Sequence, residues 1–101
     1  MAFEIIKKHF HDLSEQRSEL LKEIRISENS VISIGERLDE LRSMETRQRP
    51  DDYKDQVIRA KERRRRLRDE IAEIEHNVRM VETKIAALKM EHRFLNDGGA
   101  E

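Results

Sequence analysis

Apolar residues recur along the chain at alternating steps of three and four. From the amino terminus the register runs Phe3, Ile6, Phe10, Leu13, Arg17, Leu20, Ile24, Ser27, Val31, Ile34, Leu38, Leu41 and Glu45. This is a heptad seam with Phe3 at a and Ile6 at d. A second series runs Tyr53, Val57, Ala60, Arg64, Leu67, Ile71, Ile74, Val78, Val81, Ile85, Leu88, His92 and Leu95, with Tyr53 at d and Val57 at a. Of 13 seam positions, 10 are apolar in the first series and 11 in the second. Disordered chains do not keep such a phase, so the pattern predicts two long helices.

Between them stands the segment from Glu45 to Asp52, with Pro50 near its end. Proline breaks a helix interior but suits the first helical position. Asp51 and Asp52 would then occupy the first turn, where the helix dipole favours carboxylates. Arg42, Arg47 and Arg49 would lie near the end of the preceding helix, the matching preference for cations. A single domain over residues 1–101 is expected: a helix over about 3–46, a turn over about 47–50, and a helix over about 50–96. A short disordered tail follows, the stop supplied by Asn96 to Gly99.

A short turn makes the two helices antiparallel neighbours. In an antiparallel coiled coil, a positions layer on d positions, so the numbers of facing residues sum to a constant. A sum of 98 serves throughout, from Glu45 with Tyr53 to Phe3 with Leu95. Its midpoint, 49, adjoins Pro50. The predicted fold class is all-α: an antiparallel coiled-coil hairpin, dimerising into a four-helix bundle.

Residues 23–36 argue against this locally. They are rich in β-branched side chains around Glu28, Asn29 and Ser30, and Ser33 and Gly35 weaken a helix. A β-hairpin is the alternative there, opposed by the unshifted phase from Ile24 to Leu38 and by the marginal stability of an isolated hairpin.

Composition narrows the function classes. Charged residues are 43% of 101, with no cysteine, so disulfides and thiolate metal sites are excluded. The first residues are too polar for a secretory signal and no apolar run approaches a membrane span, so a cytoplasmic location with no membrane partner is expected. His9 and His11 point to different faces of a helix, and only His9, His92 and Glu91 could meet. No metal site is expected, and no cofactor. No nucleophile–base pair or phosphate loop stands out, and a bare pair of helices offers no concavity, so no catalytic residue is assigned and no enzyme is expected. Arg17, Ser27, Arg64 and His92 in the seam are read as register-setting, long arginine stems reaching outward, with Arg64 taking the space left by Gly35.

The net charge is −1, but residues 37–68 hold 12 Lys and Arg against 7 Asp and Glu. The remainder carries the acidic excess. Arg59, Lys61, Arg63, Arg65, Arg66 and Arg68 make a basic ridge, with Arg68 in reach of Glu28, Arg63 facing Arg37, and Lys89 facing Lys7. Outside the seam, Ile5, Ile26, Met80 and Phe94 all fall at c positions. These ten residues are the candidate partner-binding set. The expected partner is a second copy, the basic half of one hairpin along the acidic half of the other, in a non-enzymatic structural or adaptor protein. A larger protein partner, the chain then being an inhibitor or accessory factor, is one alternative. Nucleic-acid binding through Arg59 to Arg68 is another, opposed by a pI near 6.4, interleaved Glu62, Asp69 and Glu70, and the lack of aromatic residues for stacking.

Overall fold

A computed structural model describes the backbone of residues 2–99, and the side chains of residues 4–91 and of Arg93. Helix α1 spans Ala2–Ser43 and helix α2 spans Tyr53–Gly99, with a single 3₁₀ turn at Thr46–Gln48 between them. The fold is an all-α helical hairpin, and no strand occurs among the described residues. Among these residues no helix is long and apolar enough to cross a membrane.

The heptad seam identifies the buried face. Among the described residues eight apolar side chains are buried: Ile6, Leu13, Ile34, Leu38, Leu41, Val78, Val81 and Leu88. All eight stand at predicted a or d positions.

The hairpin divides into two compact units. One comprises residues 1–23 and 74–101, the other residues 24–73. In the first, Ile6 and Leu13 from α1 pack with Val81 and Leu88 from α2, and Leu20 and Ile85 join the cluster. Leu13 and Ile85, whose numbers sum to 98, thus share one core. Phe10 is 37% exposed despite its a position, and the Lys89 ammonium lies 5.6 Å from its ring centroid. Lys89 therefore has an aromatic neighbour. Arg17, also at a, reaches out of the seam and donates from Nε to Glu82 Oε1 at 3.3 Å.

In the second unit, Leu38 and Leu41 are each only 1% exposed. Residues 23–36 are helical throughout, so the alternative β-hairpin does not form. The Ser30 hydroxyl donates to the carbonyl of Ile26, one turn back, so its side chain is satisfied within the helix.

The turn differs from the sequence expectation. Helix α1 ends at Ser43 rather than near 46, and α2 starts at Tyr53 rather than at Pro50. Arg49 is extended, at φ −69° and ψ 139°. Pro50 imposes this, because its ring disfavours the helical region for the residue before it. The Tyr53 amide then donates to the Pro50 carbonyl at 3.0 Å, closing one more turn before the helix begins. Asp51 and Asp52 consequently precede the helix, and Asp55 is the acidic residue of its first turn. Asp52 still serves the start: its carbonyl accepts the Gln56 amide at 2.9 Å, and its carboxylate accepts Gln56 Nε2 at 2.8 Å. At the other end, helix α2 runs through Gly99 instead of stopping near 96. No glycine adopts the positive φ that a glycine helix stop uses. The expected tail beyond it, Ala100 and Glu101, lies outside the described residues.

Candidate interaction surface

The six basic candidates are all exposed, but the structure separates them into three pairs. Arg65 and Arg66 turn toward acidic neighbours on their own helix. Arg65 Nη2 donates to Glu62 Oε1 at 2.9 Å, and Arg65 Nη1 lies 3.5 Å from Asp69 Oδ2. Arg66 Nε lies 3.5 Å from the same Glu62 oxygen. The spacings of three and four residues place these groups on adjoining turns. The hydrogen bond from Arg65, and then its charge, hold the Glu62 carboxyl below the usual carboxylate range, with Arg66 adding to both effects. The same contact raises Arg65 above the ordinary guanidinium value.

Arg59 and Arg63 behave differently. Among the described residues neither has a carboxylate within 4.0 Å. With Arg37 they stand around one groove in the unit formed by residues 24–73. Its volume is about 660 Å³, and Ile26, Ile34 and Ala60 supply its apolar part. Asn29, Ser30 and Ser33 complete the lining. Arg37 is engaged, donating to Glu40 on its own helix at 2.9 Å and across to Gln56 of α2 at 3.4 Å. Arg37 and Arg63 therefore share a groove, as the seam register requires of two facing g positions.

The expectation of no concavity was drawn from helix geometry alone, and the side chains correct it. Serines at 30 and 33 and an alanine at 60 leave the space between the helices unfilled. Gly35 lies outside this lining, and a methyl group there would meet nothing within 4 Å. The same observation removes the proposed packing of Arg64 against Gly35, since a guanidinium seated there would be near that methyl. Nor does Arg68 reach Glu28. The ion pair that joins the two helices among the described residues is Arg17 with Glu82.

Lys61 and Arg68 are exposed and lie outside the groove. The apolar candidates Ile5, Ile26 and Met80 are exposed, at 68%, 59% and 50%. The Phe94 side chain lies outside the described residues. Ile32, Ile58 and Met90 are exposed as well, at b and f positions. Ile26 is the candidate that lies in both sets, a c-position apolar side chain within the arginine groove. Sequence reading missed the groove, although its signal was present: small residues at 30 and 33 in α1 and at Ala60 in α2.

Among the described residues no group of three or more acidic or histidine side chains could hold a metal ion. The side chain of His92 is not among them. No protein-family model matches the chain, and no match was found among curated proteins or solved structures.

Proposed function

We propose that this chain is a non-enzymatic coiled-coil structural or adaptor protein, acting through protein–protein contacts and pairing with a second copy into a four-helix bundle. The observation that carries the reading is the exposure of Ile5, Ile26 and Met80, three large apolar side chains at the same heptad position. Covering a side chain of this size stabilises by about 1.5–3 kcal/mol, whereas an exposed ion pair contributes about 0.2–1 kcal/mol. Apolar burial would therefore supply most of the affinity, and the uneven charge would select orientation. Long helical hairpins have a ready route to such burial in the four-helix bundle.

Sedimentation equilibrium at micromolar concentration and ordinary salt tests the reading. A dimer is expected; a monomer would remove it. The nucleic-acid alternative is weakened by the engagement of Arg65 and Arg66 with Glu62, which draws two of the ridge guanidinium groups toward a carboxylate. Phosphate contacts require such groups to be available. Docking on a larger protein is compatible with the dimer and would use whatever apolar surface the pairing leaves uncovered.

A further inference from the structure

The groove bounded by Arg37, Arg59 and Arg63 has a chemistry that points to an occupant. Its floor is apolar and lined by small residues, which lets a helix approach closely, since interaxial distance follows the side chains at the contact. Its rim carries two guanidinium groups, Arg59 and Arg63, that no carboxylate engages among the described residues. These two stand one helical turn apart on α2, and Arg37 faces them from α1.

The chain itself contains a segment of complementary character. On α1, Ile5, Asp12 and Glu19 fall at successive c positions, forming one stripe. All three are exposed. Neither Asp12 nor Glu19 has a cationic partner within 4.0 Å among the described residues. The two carboxylates rise about 10.5 Å apart along their helix and the two α2 arginines about 6 Å apart along theirs, a difference that long arginine side chains can span. The stripe belongs to the unit of residues 1–23 and 74–101, and the groove to the other unit.

We infer that the Ile5–Asp12–Glu19 stripe of a second copy of this chain occupies the groove, its carboxylates meeting Arg59 and Arg63 and its isoleucine meeting the apolar floor. This rests on the self-association proposed above and identifies its contact face. Each copy carries both the groove and the stripe, so a closed two-fold dimer would form the contact twice.

Charge reversal on each side tests the assignment. One variant carries Arg59→Glu and Arg63→Glu; the other carries Asp12→Lys and Glu19→Lys. Sedimentation equilibrium is run on the wild type, on each variant alone, and on their equimolar mixture. The wild type is expected to dimerise. Each variant alone is expected to dissociate at least about tenfold more readily, because like charges then meet. In the mixture, the acidic groove of the first variant meets the basic stripe of the second, and the unchanged groove and stripe meet each other. Dimerisation is therefore expected to return, which a variant that had merely lost its fold could not achieve. A variant that pairs with itself as tightly as wild type overturns the assignment while leaving self-association standing, and so does a mixture that stays monomeric. A monomeric wild type overturns both.

Discussion

The guanidinium carbon of Arg49 lies 4.4 Å from the centroid of the Tyr53 ring. The same side chain donates from Nε to the Met44 carbonyl at 3.3 Å, just beyond the last residue of α1. One arginine thus ties the end of the first helix to the first residue of the second, across the segment that Pro50 holds extended. Removing it with Arg49→Ala should cost about 1–2 kcal/mol, combining a cation–π contact with a cation at a helix carboxyl end. Urea denaturation at fixed protein concentration measures this. An unchanged midpoint would show that the turn holds its shape without the clasp.

Leu38 and Leu41 are the most completely buried large side chains among the described residues. Truncating Leu38 to alanine should destabilise by about 2–5 kcal/mol, the range for a buried leucine whose cavity only partly collapses. Ile58, 64% exposed at a b position, is the control, expected to change stability by no more than about 0.5 kcal/mol on truncation. Equal losses at the two positions would mean that Ile58 is covered in solution.

Gly35 sits inside helix α1 without any need for its flexibility. Its φ is not positive, and an added methyl would have open space around it. Gly35→Ala should therefore stabilise by about 0.5–1 kcal/mol, through a smaller entropy loss on folding. A lower melting temperature for this variant would contradict the open environment.

Glu62 makes a prediction about acid. Its carboxyl titrates lower in the folded chain than in the unfolded one, chiefly through the hydrogen bond from Arg65. Between the two values the unfolded state binds more protons, so stability rises with pH across that window. The contribution is complete above the unfolded carboxylate pKa and is lost as pH falls through the folded one. Glu62→Gln should make the acid limb of the stability curve shallower. Because both partners are solvent-exposed, added salt should shrink the difference. A limb unaltered by the substitution would place the acid sensitivity elsewhere.

The hairpin itself was legible because a heptad seam is a global signal. Each of Ile34, Leu38 and Leu41 repeats the phase of its neighbours, so a weak stretch such as residues 23–36 cannot shift it. The turn was less legible because two local preferences compete at Pro50. A proline can open a helix, but it also forces Arg49 out of the helical region, and the second effect moved the start of α2 to Tyr53. The groove escaped notice because periodicity marks which positions face inward without measuring how well they fill the space. Ser30, Ser33 and Ala60 matter there for their small volume. The division of the arginines depended on rotamers: Arg65 turns to Glu62, whereas Arg59 has no carboxylate three or four residues away on its helix other than Asp55 and Glu62, and pairs with neither.

Between Tyr53 and Ile74 no side chain of α2 is fully buried, whereas α1 places Ile34, Leu38 and Leu41 in the core of the same unit. This stretch of α2 is wound largely from strong helix formers, and it carries the densest run of trypsin cleavage sites in the chain, from Arg59 to Arg68. Helical backbone must open before a protease can cut it, and openings cost least where packing is thinnest. Nicking by trypsin along this run thus acts as a clock for local unwinding, and any partner seated over Arg59 and Arg63 would slow it.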